Sequence, residues 1–304
     1  MIRIFSLIAV PVLLVALSTG CVREIADSPA AGSLVTLRAV VGEDLSDRAG
    51  QSNQDTRVGA DIDKATGTVA FKWLKGDRIA VQTSKGFEIM ELCGEGGEAE
   101  GKFTGYLTGA TGRIAVYPSS VPLSYSGRVL TMALPAGYSY KSGETNALMA
   151  AFVDGEWMRF GHLASLLKVD VVGVPEGAML VVTAPGRKIS GEFSADLSED
   201  KACIVTSAAK GASESSVTVA FPSAVQLAQV YVPMPVGEYP SLEVKVLDKE
   251  GNLIEGSLRQ TTRSKTFSRA TIKSMPKIEM KLPTLELKQR AYKEVCTYRG
   301  RGNG

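Results

Sequence analysis

The chain has 304 residues, room for a short leader and two ordinary domains. Its charge is close to balance at +2, and no basic stripe with interleaved aromatics occurs, so no nucleic-acid partner is expected. One histidine and four scattered cysteines leave little material for a metal or redox centre, and no cofactor is expected.

The amino terminus carries one charge at Arg3, an apolar run from Ile4 to Leu17, and then small residues. That is the layout of a secretory signal, and it is shorter than the roughly 20 apolar residues of a membrane-spanning helix. Leu17-Ser18-Thr19-Gly20-Cys21 looks like a bacterial lipoprotein junction, with a small residue before the cut and a thiol after it to take lipid. Ser18 departs from the large aliphatic usual at its place. The mature protein is thus expected to begin at a lipidated Cys21 and to sit at the cell envelope. Buried methylenes at about 0.8 kcal/mol each suffice to hold it there. An ordinary secreted protein is the alternative. Residues 1–20 are read as signal peptide and 21–33 as tether.

Apolar residues then alternate, or come in short runs, bounded every 8 to 12 residues or so by Gly, Pro, Ser and Asp. Strands are predicted at Leu34 to Val41, Asp77 to Thr83, Phe87 to Cys93, Gly112 to Tyr117, Val129 to Leu134, Leu166 to Val172 and Ala178 to Ala184. Further strands are expected at Ser216 to Phe221, Gln229 to Val232, Leu242 to Leu247 and Leu253 to Leu258. Pro118, Pro135, Pro222 and Pro233 stand at strand ends, where a missing N–H costs least. The chain reads as all-β. Asp154-Gly155 is a tight turn, so the boundary is placed there: one β-sandwich over 34–153, a second over 154–282. The one helical pattern after the leader has Leu287, Ala291 and Val295 on one face, in a basic tail over 283–304.

Cys93, Cys203 and Cys296 are far apart, in no metal-like spacing, and read as thiols with at most one disulfide among them. His162 enters an apolar strand without a companion ligand and reads as a structural hydrogen-bonding group. Gly96 to Lys102 fits the first seven positions of a P-loop, but Phe103 replaces the magnesium-binding hydroxyl and no helix follows. Asp61 and Asp63 could share one face of a strand and bind a cation, but the rest of a calcium loop is missing and they read as solvated loop residues. With no G-x-S-x-G nucleophile motif, an enzyme is not expected.

Several segments in order carry a family resemblance. Thr56-Arg57, then Phe71-Lys72-Trp73-Leu74-Lys75-Gly76-Asp77-Arg78-Ile79-Ala80-Val81, then Gly101-Lys102-Phe103-Thr104-Gly105, then Ala115-Val116-Tyr117-Pro118, resemble the amino-terminal domain of the fimbrillin family. Leu148-Met149-Ala150 and Phe160-Gly161-His162-Leu163-Ala164-Ser165-Leu166-Leu167-Lys168-Val169 are similar to its interdomain passage. Taken alone, Trp73 reads as a core anchor beside a turn in which Gly76 takes a positive φ, and Tyr117-Pro118 as a strand end.

The resemblance implies two tandem transthyretin-like, Greek-key sandwiches, and a pilus (fimbria) subunit exported as a lipoprotein. In that family an arginine-specific protease cuts behind an early strand, and a strand of the neighbouring subunit fills the groove by β-strand addition. Here the early strand is Leu34 to Val41, and Arg48 and Arg57 in the polar stretch after it are the candidate cleavage points. The expected partners are other pilus subunits, the outer membrane through the anchor, and a host or bacterial surface ligand. The donor is expected in Thr271 to Leu282, with Lys273, Lys277 and Lys281 on one face, Ile272, Ile278 and Met280 on the other, and Pro276 interrupting. The alternative is a monomeric outer-membrane surface lipoprotein binding glycan or another ligand, with Trp73, Trp157, Tyr138 and Tyr140 as a stacking platform.

Overall fold

The computed structural model describes residues 32–41, 59–62, 69–197, 204–205 and 212–280, and apart from one 3-10 turn at Ala212–Ser215 every regular element among them is a strand. The expected all-β class is what the structure has. Seven strands close into a ring in the order β1 (Ser33–Val41), β12 (Trp157–His162), β11 (Met149–Asp154), β7 (Thr111–Tyr117), β4 (Arg78–Thr83), β5 (Gly86–Leu92) and β6 (Glu100–Leu107), which returns to β1. β2 (Gly59–Ile62) and β3 (Val69–Lys72) form a separate ribbon.

The barrel interior is filled from alternate positions of its strands, as the two-residue period requires. β1 contributes Leu37, Ala39 and Val41, β6 Phe103 and Leu107, and β12 Met158 and Phe160. At the centre lies Trp73, fully buried, with its ring edge-on to Phe103 at 5.0 Å, Phe160 at 5.4 Å and Tyr117 at 5.5 Å. Its Nε1 meets no acceptor among the described residues, so the indole is held by packing rather than by a hydrogen bond. The predicted anchor role holds, and Gly76 in the following turn has φ +84°.

One side of the barrel is covered. β8 (Pro122–Ser126), β9 (Val129–Leu134), β15 (Gly191–Asp196) and β16 (Ile204–Val205) form a four-stranded sheet. Its Leu130, Met132, Leu134 and Phe193 cluster with Ile114 and Val116 of β7. β7 therefore buries both faces, which is why Ile114-Ala115-Val116-Tyr117 is a continuous apolar run instead of an alternating one.

The rest is a sandwich. One sheet runs β10 (Gly137–Ser139), β17 (Ser216–Ala220), β14 (Met179–Thr183), β20 (Glu243–Leu247) and β21 (Arg259–Gln260). The other joins β18 (Val225–Met234) and β13 (Ser165–Val174), with β23 (Ile272–Ser274) and β24 (Ile278–Glu279) both parallel to β13. Between them lie Val169, Val171, Leu180, Val182, Val217, Val230 and Val244. β19 (Gly237–Tyr239) and β22 (Lys265–Phe267) pair at one side and bring Tyr239 against Phe267 at 5.1 Å.

Two expectations change. The boundary placed at 153/154 falls in the turn of the β11–β12 hairpin, whose two strands both belong to the barrel, so the chain leaves the barrel at Leu163–Ala164. β15 lies against β9 and β10 against β17, so residues from each side of that boundary pair with the other. Leu253 to Leu258 is not a strand: Leu253 makes one isolated bridge to Leu247, and Leu253 and Leu258 are exposed around a turn whose Gly256 has φ +78°. The predicted helix and basic tail lie outside the described residues, as do the signal peptide and Cys203 and Cys296. Cys93 is exposed, its Sγ 3.0 Å from Thr104 Oγ1.

Trp73→Ala should lower stability by about 3–5 kcal/mol, since the barrel must collapse around a lost indole. Urea unfolding should show this as a lower midpoint at unchanged slope. Trp73→Phe, which sacrifices no hydrogen bond, should cost clearly less.

Candidate functional site

β1 is the strand on which barrel closure depends. On one side it runs antiparallel to β6 through eight registered pairs, from Ser33↔Leu107 to Val40↔Glu100. On the other it runs parallel to β12 through four, from Arg38↔Trp157 to Val41↔Phe160. Parallel pairing is slightly weaker per residue, so the β12 side is the weaker of the two. The predicted alternation of Leu34 to Val41 is observed: Leu37, Ala39 and Val41 are buried, while Ser33, Leu34 and Thr36 are exposed.

The inward row of β6 is unusual in carrying glycines at Gly101 and Gly105 on either side of Phe103. A Cβ at Gly101, opposite Ala39, would lie 2.6 Å from Leu92 Cδ1 and 3.0 Å from Trp73 Cδ1. A Cβ at Gly105, opposite Val35, would lie 2.6 Å from the Ile89 carbonyl oxygen. Both positions are glycine because neighbouring atoms already occupy the space. The outward face is tied across the seam by Arg38. Its guanidinium lies 5.3 Å from the ring centre of Trp157 on β12 and 3.7 Å from Glu100 on β6. These groups are exposed, so the contacts contribute at most about 1 kcal/mol each. At the start of β1, Leu34, Tyr106 and Ile89 form an exposed apolar row beside Arg78 and Glu91.

The three residues expected to mark processing and anchoring, Cys21, Arg48 and Arg57, lie outside the described residues, as does Asp63. Asp61 stands on β2 opposite Ala70. Lys102 lies within β6 opposite Arg38, so the P-loop-like stretch ends in a strand. His162 is buried at the end of β12 opposite Met149, and its carbonyl accepts from Arg269 at 3.3 Å. The expected stacking platform is not assembled, because Trp73 is fully buried and Tyr138 and Tyr140 pack against the sandwich core. Trp157 is exposed, but Arg38 lies over its ring.

The expected donor segment is paired with β13 in this chain, and its phase differs from simple alternation. Ile272 lies opposite Leu166 and Ile278 opposite Val171, so six steps of one strand match five of the other. The extra residue around Pro276 turns Ile272 toward the barrel core and Ile278 toward the sandwich core. They do not share a face.

Titratable groups also gather in a crevice of about 250 Å³ beside the Trp73–Asp77 turn, lined in part by Asp77, Tyr117, Ser119, Glu144 and Asn146. Leu74 N–H donates to Asp77 Oδ2 at 2.6 Å, and the Tyr117 hydroxyl donates to Oδ1 at 3.1 Å. Burial raises the Asp77 carboxyl to about 6, against the pull of these two hydrogen bonds. Burial, with the Asp77 charge beside it, pushes the Tyr117 phenol well up. The glycine-aspartate pair of the family-like motif thus closes a turn.

No protein-family profile matches the chain, and no curated protein does. The solved structures to which it is similar include three that are each provisionally named as a cell adhesion protein. The one from Bacteroides ovatus is 12% identical with a TM-score of 0.45, over 76% of this chain and 92% of that one. The one from Bacteroides uniformis is 14% identical with a TM-score of 0.43, over 81% and 93%. The one from Bacteroides fragilis is 10% identical with a TM-score of 0.32, over 82% and 94%.

The Asp77 geometry predicts a pH effect. Its carboxyl titrates at about 6 when folded and near about 4 when unfolded, so the native state holds more protons between those values. Its contribution to stability is fully present below about pH 4 and is lost as pH rises through about 6, on the order of 2–3 kcal/mol. Asp77→Asn should gain stability relative to wild type as pH rises across that window. Parallel pH profiles of the two proteins would be the contrary result.

Proposed function

We propose that this chain is a structural or adhesive subunit of a surface pilus. It is exported as a lipoprotein on Cys21 and joined to its neighbours by β-strand addition, after cleavage at Arg48 or Arg57 frees the first strand. Adhesion is also the role for which the similar solved structures are provisionally named. The observation that carries the reading is the place of β1: the first described strand of the chain closes the barrel and is held more strongly by β6 than by β12. The family-like residues lead to the same strand by an independent route, since they point to an early strand followed by arginines.

Magnitudes favour replacement over simple loss. Fully burying a Leu or Val side chain stabilises by about 1.5–3 kcal/mol, so β1 with Leu37, Ala39 and Val41 contributes on the order of 5 kcal/mol. A domain's whole stability is about 5–15 kcal/mol. A barrel without β1 would be marginal and would bear two unpaired edges, a state that any strand able to restore both ladders relieves. The role is one of binding and construction rather than catalysis.

The decisive measurement is the amino terminus and size of the protein recovered from cells. A start at Ala49 or Val58, together with a ladder of polymers under mild denaturation, is expected. An Arg48→Ala/Arg57→Ala double variant should keep β1 and lose the ladder. Protein that is uniformly monomeric and blocked at an acylated Cys21 would overturn the proposal.

A further inference from the structure

The seam that β1 fills sets a size rule for any strand that replaces it, and the rule can be read from the rows of side chains across the gap. The inward residues of β1 lie in rows with neighbours on β6 or on β12, and Ala39 is the one with registered neighbours on both. Leu37 is level with Phe103, Val41 with Phe160, and Ala39 with Gly101 on one side and Met158 on the other. The middle row is tight, and there core side chains rather than a backbone carbonyl come nearest. The space above Gly101 is occupied from within by Trp73 and Leu92, at 3.0 and 2.6 Å from where a Cβ would stand. Trp73 is itself wedged by Phe103, Phe160 and Tyr117, which leaves its ring little room to retreat. Ala39, opposite, is fully buried.

We infer that the barrel selects its strand by this row: the partner is an extended segment with large, small and large apolar residues at three alternate inward positions, of which the middle one must be Ala or Gly. The inference rests on the strand-addition reading and specifies the partner's chemistry within it. Trp73 and Gly101 are the specificity-determining residues. The outward position Thr36 is free, because it is exposed and meets no core, whereas outward Arg38 adds only the weak exposed contacts to Glu100 and Trp157. Main-chain bonds to β6 give affinity to any extended strand, so the indole supplies the discrimination. The family-like Trp73 is then both a core anchor and the gauge of the seam.

The test uses the full chain, folded and then nicked between β1 and β2 by an arginine-specific protease. Labelled peptides spanning residues 32–41 are added in excess, and their uptake is followed by anisotropy, with release of the original β1 confirmed by mass. The parent peptide, Ala39→Gly and the outward control Thr36→Leu should enter with similar affinity. Ala39→Leu should bind at least about tenfold more weakly, the order expected for overpacking a filled site. In a Trp73→Phe protein, whose smaller ring opens the middle row, the Ala39→Leu peptide should recover most of that loss. A Met158→Ala protein offers the same relief from the other side of the row. Equal uptake of the Ala39→Leu and parent peptides by the unaltered protein overturns the size rule and leaves strand addition standing. Failure of every peptide to enter a protein that has released its own β1 overturns strand addition, and the size rule with it.

Discussion

A closed ring of seven strands cannot alternate in direction all the way round. With an odd number, at least one neighbouring pair has to run parallel, and in this barrel that pair is β1 with β12. The other six contacts of the ring are antiparallel. The compromise thus falls at a strand near the amino end, which has a long ladder on one side and a short one on the other. Had it fallen between β4 and β7, in the doubly buried part of the barrel, the same weakness would have been locked in by the covering sheet.

Packing follows from that closure. Once β1 draws β6 and β12 to either side of itself, the interior is narrow enough for one indole to touch three aromatic rings at once. The inward row of β6 must then give way, which it does at Gly101 and Gly105. Glycine in a strand is normally unfavourable by roughly 0.5–1 kcal/mol relative to Ala, so these positions are intelligible only through the atoms that crowd them. The sandwich core, built around β13, β14, β18 and β20, contains no residue of β1. Loss of β1 therefore acts on the barrel first.

Much of this was legible in the sequence and some was not, for identifiable reasons. Val129 to Leu134 matches its strand end to end, and Leu34 to Val41 misses by one residue, because period-two alternation is strong where one face is wet. Gly101 and Gly105 could not be read as inward positions, because glycine carries no hydrophobic signal, and Gly101 also fell within the Gly96 to Lys102 stretch that looked like a phosphate loop. The boundary at Asp154-Gly155 was a correct turn wrongly used: a hairpin turn and a domain junction have the same local chemistry, and strand pairing tells them apart. The parallel β1–β12 contact joins residues more than a hundred positions apart and leaves no local trace. The phase change at Pro276 was half visible, since the proline marked an interruption without saying that one extra residue would send Ile272 and Ile278 to different cores.

The seam also shows why anchoring and assembly can be coupled in the proposed cycle. The expected lipid site at Cys21 lies on the amino side of β1, and the expected cuts at Arg48 and Arg57 lie on its carboxyl side. A cut there severs the covalent link between tether and body, so that among the described residues the β6 ladder, the short β12 ladder, the Arg38 contacts and the inward side chains of β1 hold them together. Those are the same contacts that an incoming strand must remake. Detachment from the membrane and capture by a neighbour then become one competition for one groove. Since the parallel side is weaker per residue and half as long, displacement should begin at the edge of β12, where Arg38 and Trp157 meet, and finish along β6.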